Sequence, residues 1–293
     1  VNIVRYRNII SIDVEDWFHI LDSPAVPHIE QWDALESRVA NNLERLLDLL
    51  DRTQVKATLF WLGWVAQRHP KLLRKCISAG HEIASHGYGH VLAYEVGPKA
   101  YMEDISLAKT ILEETTGVAV NGFRAPGFGI TNKAVWAFDV IREAGYRYDS
   151  SIFPAARGHG GLLGSRLGPH IIDTSCGPLY EIPQSMLTFM GKRFSLFGGG
   201  YLRLAPLWMI RRGVRALAAN GQPLLIYIHP REIDPDHPRL PLSPIRRFKC
   251  YHNLHSTFPK LNALCESGSF VRMGDYVNSY FEPEEAITSN PVA

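Results

Sequence analysis

The stretch His81–His90, "HEIASHGYGH", puts His86 and His90 four residues apart. Histidines at that spacing share a face in a helical turn and can reach one ion. A carboxylate from elsewhere would complete a three-ligand set that leaves a position open for water, as catalytic rather than structural zinc sites do. Suitable acids stand in "SIDVEDWFH", where Asp13, Glu15 and Asp16 cluster at the end of an apolar run. Asp13 and Glu15 are two apart and point to one side of an extended chain, so one can serve an ion while the other accepts a proton. "GFRAPGFG" adds a cation, Arg124, at the barrel mouth, with Pro126 stiffening the turn behind it. "PLLIYIHP" ends an apolar strand in His229, placed for proton transfer near neutral pH. Each feature alone has a bland counterpart: a solvated strand end, a chance pair of histidines, a structural salt bridge. Together they fit metal-assisted hydrolysis of an amide. His81 opens its strand and is expected to pack or cap rather than bind an ion.

These residues matter only if the fold gathers them. Helix-like runs repeatedly end in glycine and pass at once into short β-rich segments, as in "LLRKCISAG" to "HEIASH" and "VRALAANG" to "QPLLIYIHP". Gly80, Gly117, Gly145, Gly221 and Gly268 occupy the positions where a helix C-terminus favours a left-handed residue. "NIISIDV" reads as a first buried strand and "KATLFWL" as a second. Between them "ESRVANNLERLLDLLDR" reads as an amphipathic helix with Val39, Leu43, Leu46, Leu47 and Leu50 on its apolar face. Strands alternating with helices imply parallel pairing through crossovers, hence an α/β fold with its site at the C-terminal strand ends. No low-complexity linker interrupts the chain, and residues 1–293 read as one domain. Residues 155–200 are glycine-rich and suit loops or hairpins, while 230–260 read as an ordered, irregular excursion within a C-terminal extension, 230–293, packed on the barrel.

A chain of 293 residues that is 46% hydrophobic can bury a full core. Its 31 Lys and Arg against 29 Asp and Glu, interspersed, predict no broad cationic face and speak against a nucleic-acid partner. Cys76, Cys176, Cys250 and Cys265 form no CxxC pair and read as free thiols of a reducing compartment. With no apolar leader and no run near the roughly 20 apolar residues of a spanning helix, the expectation is a cytoplasmic protein without a membrane span.

In order along the chain, "SIDVED", "SHGYGH", "FRAPGF", "YDSSIFP" and "IYIHP" resemble the motifs of the polysaccharide deacetylases of carbohydrate esterase family 4. "GGGYLRLAP", "HPREIDPDHP" and "FKCYHNLHSTFPKL" are similar to a subgroup associated with bacterial exopolysaccharide or surface-glycan loci. The resemblance implies a distorted (β/α) barrel, a Zn²⁺ or other divalent transition metal, and removal of acetyl groups from an N-acetylated sugar of a surface polysaccharide or its precursor. It makes Asp13 the catalytic base, His86 and His90 metal ligands, Arg124 the residue that orients the base, and His229 the general acid. Asp149 would be an acid that tunes the catalytic histidine. Because "DVED" departs from the adjacent aspartates of many members, the metal carboxylate is Glu15 or Asp16, with Glu15 preferred. Trp17, Phe18, Tyr88, Phe128 and Tyr201 are candidate sugar-stacking faces, with core packing as the commoner alternative. Arg231 and Glu232 would touch substrate or pair structurally. Cys250, His252 and His255 lie close together without an evident fourth ligand. The competing functions are an allantoinase-like amidohydrolase acting on a small amide, and a carbohydrate-binding homologue that has lost the chemistry.

Overall fold

A computed structural model describes residues 8–282 except 22, 156, 157 and 159. The opening segment 1–7 and the extension beyond 282 lie outside the described residues. The strands are β1 (Asn8–Val14), β2 (Thr58–Trp61), β3 (Glu82–Ser85), β4 (Gly122–Phe123), β5 (Tyr148–Asp149), β6 (His170–Thr174), β7 (Gly177–Glu181), β8 (Leu187–Phe189), β9 (Lys192–Phe194), β10 (Leu225–Ile228) and β11 (Phe270–Val271). Among the described residues, one sheet runs β10-β1-β2-β3-β4-β5-β7-β6, with β11 also on β1, and β8–β9 form a separate hairpin. Every pairing in the large sheet is parallel except β6–β7.

The parallel strands are short and apolar because both of their faces are covered. Ile9, Ile10, Ile12 and Val14 of β1 are all buried. Covering them are the helices α1 (Val39–Arg52), α2 (Gly63–Arg68), α3 (Pro70–Ser78), α4 (Ala93–Thr116, broken at Gly97), α5 (Ala137–Glu143), α6 (Gly199–Leu204), α7 (Leu207–Ala219), α8 (Pro244–Tyr251), α9 (Thr257–Ser267) and α10 (Met273–Phe281). In α1 the residues predicted to face the core, Val39, Leu43, Leu46, Leu47 and Leu50, are buried; each such leucine contributes roughly 1.5–3 kcal/mol.

The result is a distorted (β/α) barrel. Past β7 the chain meets β10 through a single backbone bridge, Gly198 to Tyr227, and otherwise through side chains. Gln184 donates to the Leu225 carbonyl at 3.0 Å, Ser185 donates to the Pro223 carbonyl at 3.0 Å, and the Leu225 N–H returns a bond to Ser185 Oγ at 2.8 Å. The ring is thus closed partly by hydroxyl and amide groups, which accounts for its distortion. Because β1 to β5 and β10 run the same way, their C-terminal ends open on one face.

Some local expectations shift. Gly80, Gly117, Gly145 and Gly221 have positive φ, but Gly268 is extended at φ −118°. There the glycine is needed for space, since a Cβ would lie 2.5 Å from the Phe270 ring. The excursion at 230–260 contains α8, started by Pro244. His81 packs as expected: it is buried, and its Nδ1 accepts the Ala57 N–H at 3.2 Å.

Burial pushes the His81 imidazole down from its ordinary 6.5 to about 4. A histidine held neutral by folding binds fewer protons than in the unfolded chain between those values, so its stabilisation is complete above pH 6.5 and is lost as pH falls towards 4. Thermal unfolding over that window should show His81→Asn losing on the order of 2–3 kcal/mol less stability than the wild type.

Candidate metal centre and active site

The open face of the barrel collects residues remote in sequence. Glu15, just past β1, places Oε1 3.0 Å from His86 Nε2 and 2.9 Å from His90 Nε2. The three side chains are buried, and their nearest ligand atoms all lie within 4.8 Å of one another. His86 follows β3 directly. Its Nδ1 is 2.7 Å from the Arg124 carbonyl oxygen, which can only accept, so Nδ1 carries the proton and Nε2 directs a lone pair at the carboxylate. Two acceptors facing each other at 3.0 Å in a buried site require a cation between them, either a proton or a metal. The donor set of one carboxylate and two imidazoles suits a zinc-type ion.

The segment from His86 to His90 is a loop rather than the helical turn read from the spacing. Gly87 has φ +75° and His90 φ +56°, and Asp104 on α4 accepts the Tyr88 and Gly89 N–H groups at 2.8 Å each. A left-handed histidine is a strained position, held here by that half-buried carboxylate. Asp104 had no local signal in sequence, because its partners are backbone amides about fifteen residues away.

Arg124 follows β4 and is completely buried rather than set at the barrel mouth. Nη1 donates to Asp13 Oδ1 at 2.6 Å and to Ser11 Oγ at 2.8 Å, Nε donates to the Ser150 carbonyl at 3.2 Å, and Nη2 donates to Ser150 Oγ at 3.0 Å. The guanidinium also sits 4.1 Å from the Phe60 ring centroid. From the end of β10, His229 brings Nε2 to 3.8 Å from both Asp13 Oδ2 and Glu15 Oε1.

Two carboxylates sit elsewhere. Asp16, the alternative ligand, turns away from the histidines. It accepts the Ser37 hydroxyl at 2.6 Å and the Arg38 and Val39 N–H groups at 3.0 and 3.3 Å, capping α1 from a remote strand end. Asp149 does not approach His229. It accepts the Ser151 hydroxyl at 2.5 Å and lies opposite Glu181 in the β5–β7 register. Burial pushes both of those carboxyls up, Glu181 well above the usual range, so the pair holds a proton between them. The carboxylate beside His229 is Glu232, with Oε2 3.4 Å from Nδ1 and Oε1 2.5 Å from the Arg203 guanidinium. Burial alone would raise Glu232; the His229 contact and Arg203 outweigh it and hold it at about 2. Burial also opposes ionisation of Glu15, but His90 and His229 more than offset it and keep that carboxyl well below its usual range.

The site opens into a cleft of about 780 Å³, lined near the centre by Asp13, Glu15, His90 and His229 and further out by Phe128 and Tyr201. Of the proposed stacking faces, Trp17 and Phe18 are buried in the core, and Tyr88 bonds Gln67 through its hydroxyl. Among the described residues Cys250, His252 and His255 form no ligand cluster; His252 stacks on Phe248. His19, which the sequence reading passed over, is buried against Trp32 and Trp64 and accepts the Asp16 N–H through Nδ1 at 2.9 Å.

Residues 32–148 match the polysaccharide deacetylase family model, and residues 150–278 match the model described as "Domain of unknown function (DUF3473)". Residues 32–148 thus belong to the polysaccharide deacetylase family. His86, His90 and Arg124 fall in the first match and His229 and Glu232 in the second, while Asp13 and Glu15 precede both. The junction falls at Asp149 within β5, a strand of the single large sheet. A peptidoglycan-N-acetylglucosamine deacetylase of Bacillus cereus is 35% identical over 103 residues, 35% of this chain and 46% of the relative. A peptidoglycan deacetylase of Helicobacter pylori is 26% identical over 110 residues, 38% of this chain and 36% of the relative. The chain thus spans less than half the length of these curated relatives. Among solved structures, the Puue allantoinase superposes with TM-score 0.63 at 18% identity, covering 95% of this chain and 92% of that one. A Pseudomonas aeruginosa structure titled "probable Polysaccharide deacetylase" gives 0.61 at 19%, with the same coverage. These likenesses are of fold, which deacetylases and an allantoinase share.

The placement of Asp16 has a direct consequence. Asp16→Ala should destabilise the protein by about 1–2 kcal/mol, the usual cost of a lost helix cap, measured as a lower midpoint in denaturant unfolding. An unchanged midpoint would mean that the α1 amides find water instead.

Proposed function

We propose that this chain is a metal-dependent N-deacetylase acting on an N-acetylated sugar of a bacterial surface polysaccharide or its precursor. One observation carries the reading: Glu15, His86 and His90 converge beside an Asp13 clamped by Arg124, with His229 opposite at 3.8 Å. Glu15, His86 and His90 would hold the metal. When bound, a divalent transition ion supplies Lewis acidity that polarises the acetyl carbonyl and acidifies water. The protein's own groups do the rest. Arg124 fixes Asp13 Oδ1, leaving Oδ2 towards the cleft to accept a proton as water adds to the acetyl carbon. His229, protonated, delivers a proton from Nε2 to the sugar nitrogen as the C–N bond breaks, releasing acetate and the free amine. Glu232 is a positioning residue that orients His229 from 3.4 Å, in the place the sequence suggested for Asp149.

The cleft favours a glycan over a small cyclic amide. Its volume of about 780 Å³, with Tyr201 exposed on its wall, suits more than one sugar unit. The four cysteines are unpaired, which supports a reducing compartment.

Metal analysis paired with acetate release from a panel of N-acetylated glycans tests the assignment. Glu15→Ala and His86→Ala should lose both metal and activity. Asp13→Asn and His229→Ala should keep the metal and lose roughly 10²–10⁴-fold in kcat. Equal metal content in all four variants, or activity confined to small cyclic amides, would overturn the reading. Separately, Glu232→Gln should lower kcat by about 10–100-fold with little change in KM, because a neutral amide no longer balances the imidazolium. A change in KM alone would assign Glu232 to substrate binding.

A further inference from the structure

The near-neutral total hides a segregation of charge. From Ile182 to Arg231 there is no Asp or Glu but seven Lys or Arg, and from His237 to Cys265 again none against five. The rest of the chain therefore carries 19 of the 31 cations and all 29 acids. The interspersed balance expected from the bulk numbers does not hold locally.

The acid-free segments fold next to one another. The β8–β9 hairpin packs on α7, where Leu187 lies 2.9 Å from the position of a Cβ on Gly213. α6 runs into α7 through Pro206, and Arg203 of α6 donates to the Lys249 carbonyl of α8. Tyr201 and Leu204 from α6, and Ile245, Phe248 and Lys249 from α8, line the cleft itself. Along this surface large apolar side chains stand in water, each group beside cations. Phe189 (68% exposed) and Met190 (85%) form the hairpin tip next to Lys192; Trp208 (65%) precedes Arg211 and Arg212; Ile245 (73%) and Phe248 (51%) flank Arg247 and adjoin Lys249. Lys192, Arg211, Arg212, Arg215, Arg247 and Lys249 are exposed and make no ion pair among the described residues. The tip is not loose. Met190 and Gly191 occupy the two left-handed positions of a tight turn, and Arg193 clamps the hairpin by donating to the Pro154 and Ser165 carbonyls at 3.1 and 2.8 Å.

We infer that this face docks on the surface of an anionic bilayer, with Phe189, Met190, Trp208 and Ile245 inserted at headgroup depth and the neighbouring Arg and Lys on lipid phosphates. Protruding apolar side chains repeatedly paired with cations, and the absence of acids from the two segments that carry them, are complementary to an anionic interface. A protein partner would more usually meet mixed charge and a recessed apolar centre. No described helix is long and apolar enough to cross a membrane, so the association is peripheral. One wall of the cleft belongs to this face, so the cleft opens at the membrane and the glycan it receives is lipid-carried. That corollary rests on the deacetylase reading, whereas the docking itself does not.

Sedimentation of the full chain with vesicles tests it. Binding is expected to phosphatidylglycerol/phosphatidylethanolamine vesicles, weakened by salt, and not to phosphatidylcholine vesicles. Phe189→Ser combined with Met190→Ser should reduce partitioning at least about tenfold, and Arg211→Gln with Arg212→Gln about fivefold per charge at low salt. Val118→Ser with Val135→Ser, exposed apolar sites elsewhere, should change nothing. All variants should keep the wild-type unfolding midpoint and act normally on soluble N-acetylglucosamine oligomers. Absence of vesicle binding, or equal binding by the tip variant, overturns the docking, as does a concentration-dependent dimer that the same substitutions abolish without vesicle binding. Vesicle binding by a chain that releases no acetate would keep the docking and remove the deacetylase reading.

Discussion

The site depends on a guanidinium that has no access to water. Arg124 is fully buried, and its charge is tolerable only because Asp13 meets it at 2.6 Å while Ser11 Oγ, Ser150 Oγ and the Ser150 carbonyl each take a further donor. Removing one partner of such a pair typically costs 3–5 kcal/mol, because the other is left charged and desolvated. The same residue acts through its backbone as well: its carbonyl fixes the tautomer of His86. One position just past β4 thus orients the carboxylate proposed as base and the imidazole proposed as ligand, and couples the ends of β1 and β3 to that of β4. Any displacement of the β4 end would disturb both together.

Much of this was legible in sequence where the signal was local or periodic. The apolar stripe of α1 and the short strands follow from side-chain period, and the parallel order follows from alternation. Asp13, Glu15, His86, Arg124 and His229 could be singled out because they stand at or just past strand ends, and His90 because it lies four residues from His86. What could not be read was the direction of side chains after a strand ends. Glu15 and Asp16 are adjacent carboxylates, yet one turns to the histidines and the other to the N-terminus of a helix more than twenty residues on. That choice is made by amides that only the tertiary fold presents. Asp149 was misplaced for a related reason. Its motif lies at a strand end, but its neighbour across the ladder is Glu181 rather than His229.

The two buried acid systems show how environment alone assigns roles to chemically similar groups. Asp149 and Glu181 face each other with no cation in direct contact, and burial drives them to share a proton. Glu232 is as deeply buried but meets Arg203 and His229, and it stays ionised. Only the second presents a fixed negative charge to His229. The first is suited to holding β5 against β7, which matters because the sheet begins to lose its parallel order there.

Arg203 joins this chemistry to the outer surface. Its Nη1 holds Glu232, while Nε and Nη2 donate to the His252 and Lys249 carbonyls. The proline-rich excursion is therefore pinned to the same cation that keeps Glu232 charged, and α8 carries part of the cationic, apolar face while lining the cleft. Movement of α8 on docking would bear on two carbonyl acceptors of Arg203 and through it on the carboxylate behind His229. A loop excursion that served only to cover the barrel would not need its anchor in the proposed proton-donor system. Its attachment at that point is the physical reason to treat the outer face and the reaction centre as one device.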